Sequence, residues 1–162
     1  MPFLISALPL ARFAPLFELS DDALAASGAR RVIADARPGY PCRVSLEDAA
    51  IGERLILAHH EHQTADTPFR ASHAVYVREI AREVRPAPGE VPALFRHRTL
   101  SLRGFDAGGM MAAADLSPGD RLDAAITAML ADPAVAYLHL HYAAPGCYAA
   151  RVDRVAGAAT PV

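Results

Sequence analysis

The chain contains no lysine, no asparagine and no tryptophan, and all sixteen of its cationic side chains are arginine. Without lysine there is no Schiff-base amine, no phosphate-loop lysine and no Ser-x-x-Lys nucleophile pair. Without asparagine there is no N-glycosylation acceptor. A GC-rich genome that avoids A-rich codons explains both absences, and the exclusions hold whatever the cause. Cysteine is scarce too: Cys42 and Cys147 are too few for a disulfide framework. No apolar run approaches the roughly 18 residues of a membrane span. The apolar amino end, Met1 to Ala11, has no basic n-region and is interrupted by two prolines, so it reads as a buried first strand rather than a signal peptide. No basic stripe stands out in a chain of formal charge −2, which argues against a nucleic-acid partner. The expected setting is a reducing bacterial cytoplasm with both thiols free and no membrane partner, and the oligomeric state is left open.

The chain has 162 residues, 52% of them hydrophobic and 21% charged. That length suits a single globular domain over residues 1–162, able to bury roughly 68–70% of its unfolded surface without a metal or disulfide staple. Ser20-Asp21-Asp22 predicts a capped helix start and Gly28 its end. Arg31 to Ala36, Arg54 to His60 and Ala74 to Glu79 read as strands, the last alternating Val75 and Val77 against Tyr76 and Arg78. Ser45-Leu46-Glu47-Asp48 has the pattern of a capping box, closed by Gly52. Thr99 to Phe105 and Met110 to Asp115 flank a turn and predict a hairpin. Ser117-Pro118-Gly119-Asp120 opens a helix carrying Leu122, Ile126, Met129 and Leu130, stopped by Pro133. Val135 to Tyr142 and Cys147 to Asp153 form a last hairpin. The sum is an α+β class, a largely antiparallel mixed sheet with one or two packed helices.

The candidate chemistry centres on His139-Leu140-His141 and the nearby Gly146-Cys147. Two residues apart on a strand, the imidazoles stand about 6.6 Å apart on one face. Facing across the hairpin depends on register, because a one-residue slip reverses every side chain. Pairing Tyr142 with Cys147 puts the thiol opposite the histidine face. Pairing His141 with Cys147 puts Tyr137, His139 and His141 with Arg151, Ala149 and Cys147, and leaves Leu138, Leu140, Tyr148, Ala150 and Val152 on the other face. The second register separates polar from apolar and is the preferred expectation, with Gly146 in a left-handed turn.

Three functional readings follow. Zinc or another transition metal takes His139, His141 and Cys147 as ligands, with a position open for water. Alternatively Cys147 is a nucleophile activated by a neighbouring imidazole. Or the face is a polar pocket for an anion. Against these stands the reading in which both histidines are hydrogen-bonded structural residues and Cys147 a small buried hydrophobe. Cys42, between Pro41 and Arg43, reads either as a thiol in an electropositive turn or as a residue entering a core strand. In His59-His60-Glu61-His62-Gln63, only His60 and His62 share a face. A solvated strand end is expected there, with His62 a minor ligand candidate, and the His-Glu-x-x-His spacing of zinc proteases is absent. Arg43, Arg70 and Arg78 are candidates to hold an acidic ligand. Ser72-His73 lacks the glycines of a nucleophile elbow.

Several blocks together resemble a known family. They are Pro38-Gly39-Tyr40-Pro41-Cys42-Arg43-Val44-Ser45-Leu46, Glu61-His62-Gln63, Pro68-Phe69-Arg70-Ala71-Ser72, Val77-Arg78-Glu79, Leu100-Ser101-Leu102-Arg103, and His139-x-His141 with Gly146-Cys147-Tyr148. In this order they resemble the bacterial domain-of-unknown-function family 1203. In that family an asparagine often follows the second histidine, where this chain has Tyr142. The resemblance implies a small bacterial protein of unassigned activity. The leading expectation is a His/Cys/Arg-lined pocket that binds a small acidic molecule or a metal and supports metal- or thiol-assisted hydrolysis or transfer. The alternative is a non-catalytic binding or interaction domain with structural histidines.

Overall fold

The computed structural model describes residues 2–155, so Met1 of the expected first strand lies outside them. The strands form two antiparallel sheets. A five-stranded sheet runs in the order β1 (Phe3–Ser6), β8 (Tyr148–Arg154), β7 (Tyr137–Tyr142), β5 (Thr99–Phe105) and β6 (Met111–Pro118). A three-stranded sheet runs β2 (Arg30–Ile33), β3 (Arg54–Gln63) and β4 (Ala71–Arg78). The helices are α1 (Ala14–Phe17), α2 (Asp21–Ala26), α3 (Ala93–Arg96) and α4 (Leu122–Leu130). The class is α+β, as expected. The strands divide between two sheets rather than joining one mixed sheet, and the parallel element is an isolated bridge between Cys42 and Tyr76.

Local chemistry explains the helices that form. Ser20 Oγ accepts the Ala23 N–H at 3.2 Å, and Asp21 and Asp22 sit at the positive end of α2. In α4, Leu122, Ile126 and Leu130 turn one buried stripe onto β5 and β7. The expected capping box does not make a helix. Asp48, which would have to fold back onto the Ser45 N–H, is instead taken by Arg98 in a two-pronged ion pair at 2.6 and 3.0 Å. Glu47 is taken by Arg78 at 2.7 Å, and Leu46 adopts φ 50°. A long-range charge pair outcompetes a local cap.

The five-stranded sheet has two unlike faces. Leu100, Leu102, Leu138, Leu140, Ala150 and Val152 pack under α4 in the larger core cluster. Arg103, His139, His141 and Tyr148 alternate onto the opposite face, toward the smaller sheet. There Ile56, Ala58, Val75 and Val77 meet Tyr148, Phe13 and Cys42 in a second cluster. Gln63 Nε2 donates to Tyr137 Oη at 2.9 Å, fastening the end of β3 to β7. The space between the sheets is therefore apolar at one end and lined by imidazoles at the other.

The turn before α4 is tightly seated. A Cβ added at Gly119 would stand 1.7 Å from the Phe95 carbonyl oxygen, a backbone clash that no side-chain rotation relieves. Gly119→Ala is expected to destabilise the protein by about 3 kcal/mol, roughly 6–12 °C in Tm, the upper end of overpacking costs. A differential scanning calorimetry shift under about 2 °C would mean that α3 and this turn separate freely.

Candidate metal centre

Three strands supply the imidazoles. On β3 and β4, His60 pairs with His73, and alternation sends His60, His62, His73, Val75 and Val77 to the inner face. On β7, His139 and His141 share the face opposite the leucines. Nitrogens of His62, His73 and His141 all lie within 4.8 Å of one another. His73 Nδ1 and His62 Nε2 are 2.7 Å apart, and the other nitrogen of His62, Nδ1, is 3.4 Å from His139 Nδ1. The His62 ring lies nearly parallel to His73, centroids 4.7 Å apart and meeting edge to edge at the 2.7 Å contact, and nearly parallel to Tyr148, centroids 4.9 Å apart.

His141 is completely buried and makes one hydrogen bond, 2.9 Å from Nδ1 to the Gly146 carbonyl. A carbonyl only accepts, so Nδ1 carries the proton and Nε2 holds a bare lone pair. That Nε2 is sealed from solvent and has no partner. A neutral imidazole oriented by an N–H···O=C bond is the usual state of a metal-bound histidine.

Burial keeps these rings neutral. Desolvation is the first cause that pushes His62, His139 and His141 down to about 3. Neighbouring imidazoles come next for His62 and His139, whereas for His141 the Gly146 hydrogen bond works the other way and Arg103 outweighs the imidazoles. His73 is also lowered, by desolvation first and then by Arg103. His60 is lowered to about 4 by desolvation and by Arg12, whose Nη1 donates to His60 Nδ1 at 3.1 Å. Packed against Phe13 and Tyr148, His60 is a buried structural residue. The expected solvated strand end is thus corrected, because the amino-terminal segment covers it.

The hairpin register differs from the preferred expectation. His139 pairs with Arg151 and Leu140 with Ala150, but His141 pairs with Tyr148, so Ala149 is an extra, bulged residue. The bulge reverses facing: Tyr148 joins the histidines and Cys147 leaves them. Gly146 does adopt the left-handed conformation, φ 75°, and Tyr142 N–H bonds to the Cys147 carbonyl at 3.0 Å. Cys147 Sγ reaches only the Pro145 carbonyl, at 3.9 Å, and lies outside the nitrogen cluster.

The remaining candidates also resolve into places. Cys42 is fully buried, its sulfur accepting from Ser45 N–H and Arg78 N–H, and both cysteines are free. Arg78 is tied to Glu53, Glu47 and Ser45, and Arg70 to Glu61. Neither holds charge in reserve. Arg43 is buried, and among the described residues no acid stands beside it. His73 was overlooked in the sequence, although its parity with Val75 and Val77 put it on the buried face.

Fold and site together define an α+β protein with an imidazole cluster held between two antiparallel sheets. The chain belongs to the family described as "Protein of unknown function (DUF1203)", which matches residues 39–154. That span includes all the histidines of the cluster, Arg43 and both cysteines. No curated protein and no solved structure matches the chain. Among the described residues, no helix is long and apolar enough to cross a membrane.

The depressed histidines have a consequence for stability. Their folded values lie below the ordinary 6.5, so as pH falls the unfolded chain gains protons first. Stability is whole above about pH 7 and falls from about 6.5 toward 3–4, by at most about 1.4 kcal/mol per pH unit for each of the sealed His139 and His141. Urea midpoints of chelator-treated protein should therefore drop steadily between about pH 7.5 and 5, above the ordinary carboxylate range. A flat profile there would mean that the rings are solvated.

Proposed function

We propose that the protein, acting as a single domain, binds one zinc-like transition-metal ion through His62, His73 and His141. The observation that carries this reading is the convergence of His62, His73 and His141 nitrogens within 4.8 Å, with Nε2 of His141 sealed and unpartnered. On a tetrahedral ion with bonds of about 2.0–2.1 Å, nitrogens stand roughly 3.3 Å apart, a spacing the present cluster brackets. The proton shared in the 2.7 Å His62–His73 contact would move to the far nitrogen of its ring. On His62 that nitrogen is Nδ1, already facing His139, so His139 would orient a ligand rather than be one.

Three neutral imidazoles with a fourth position open is the donor set of hydrolytic zinc sites, where a bound water is acidified to about pKa 7. Arg103, opposite His139 on the same face, supplies a cation near that position for an anionic substrate group. Cys147 has no part in this reading. The two free cysteines fit a reducing compartment such as a bacterial cytoplasm. A second reading, a non-catalytic binding or interaction domain with structural histidines, draws on the same 2.7 Å contact and on the packing of His62 against Tyr148.

Metal content separates the two. Protein made without an affinity tag, stripped with chelator and titrated with zinc against a chromophoric competitor, should take up one equivalent. His141→Ala and His73→Ala should abolish uptake. His139→Ala should keep the stoichiometry and weaken affinity about 10–100-fold. Uptake below about a tenth of an equivalent in the folded wild type would leave the structural reading standing.

A further inference from the structure

A cleft of about 630 Å³ opens beside the β7–β8 turn, and none of the three clustered histidines lines it. Its walls include Leu57, Tyr76, Tyr142 and Pro145, with Arg43 and Cys147 among them. Arg43 is only 2% exposed. Its Nε and Nη1 donate to the Tyr148 and Pro41 carbonyls at 2.9 and 2.6 Å, and its guanidinium lies 4.9 Å over the Tyr142 ring. These bonds use two of the five N–H donors of a guanidinium. Among the described residues no carboxylate pairs with it, whereas Arg98, on the same wall, is matched by Asp48 at 2.6 Å.

A buried cation held by carbonyls and an aromatic face has lost water without gaining a counter-charge, which is costly unless an anion completes it. The walls specify the rest of that anion. One unmatched charge suits a monoanion, and the apolar surround suits hydrocarbon. The volume lies within the usual range for small-molecule sites, about 300–1,000 Å³. We propose that this cleft binds a small monocarboxylic acid with an aliphatic or aromatic body. Its carboxylate meets the unused N–H groups of Arg43 and its hydrocarbon lies against Leu57, Tyr76 and Pro145. The site is independent of the histidine cluster.

Cys147, half-buried on the same wall, reports on the cleft, and the fully buried Cys42 is an internal control. The full chain is alkylated in parallel with iodoacetate and iodoacetamide, and rates at each cysteine are read by peptide mass spectrometry. The iodoacetate-to-iodoacetamide rate ratio at Cys147 should exceed that of N-acetylcysteinamide by about tenfold or more, the scale of one charge-assisted hydrogen bond. Millimolar octanoate should slow both reagents, and 1-octanol at the same concentration should not. Arg43→Gln should return the ratio to the reference value. Because that variant removes two buried donors, Ala74→Trp, at an exposed wall position, serves as a second probe and should abolish octanoate protection. A wild-type ratio equal to the reference overturns the proposal, as does equal protection by octanoate and octanol. Neither outcome touches the metal titration, which reads a different quantity.

Discussion

The hydrogen bond from His141 Nδ1 to the Gly146 carbonyl is the constraint on which the centre depends. It closes the β7–β8 turn over the ring, settles which nitrogen holds the proton, and leaves Nε2 bare in a sealed space. Gly146 can offer its carbonyl there because it takes φ 75°, which a residue with a Cβ adopts only under strain. The same turn, with its bulge at Ala149, swings Tyr148 onto His62 and sends Cys147 to the neighbouring cleft. One local backbone irregularity thus sorts a histidine centre from a thiol-bearing one.

Electrostatics divide the interior in the same way. The clustered imidazoles are buried or half-buried, and among the described residues no carboxylate figures among the causes of their lowered values, so they stay neutral and available as ligands. The arginines nearest them are differently engaged. Arg151 is spent on Asp153 and the Tyr137 ring, while Arg103 keeps its charge near the cluster. Elsewhere Arg78, Arg98 and Arg70 consume Glu53, Glu47, Asp48 and Glu61 in holding loops to strands. Arg43 is left as a buried cation whose neighbours are carbonyls and an aromatic ring. Without lysine in the chain, each of these charges is a planar fork, suited to two-pronged pairing with a carboxylate.

Much of the fold was legible because it rests on short-range patterns. Strand alternation marked β4 and β7, the serine and aspartates marked α2, and the turn glycines marked the hairpins that hold β5 to β8. The capping-box reading of Ser45-Leu46-Glu47-Asp48 failed because two distant arginines claimed its acids. The site was half legible. His141 and His62 were singled out, but in separate groups, and His73 was passed over for want of a motif around it. The strand parity that linked His73 to Val75 and Val77 was visible, yet nothing in the sequence paired β4 with a histidine on β7.

By itself the sequence determined an α+β class, the faces of β4 and β7, and the exclusion of lysine and glycan chemistry, because each follows from residue type or near-neighbour spacing. Only the tertiary structure decided which imidazoles meet. Those contacts join residues far apart in the chain, and they depend on a single bulge whose energy is too small and too context-bound to read from side-chain order. The fate of each arginine was decided there too, since a charge is free or spent only relative to the acids that folding brings beside it.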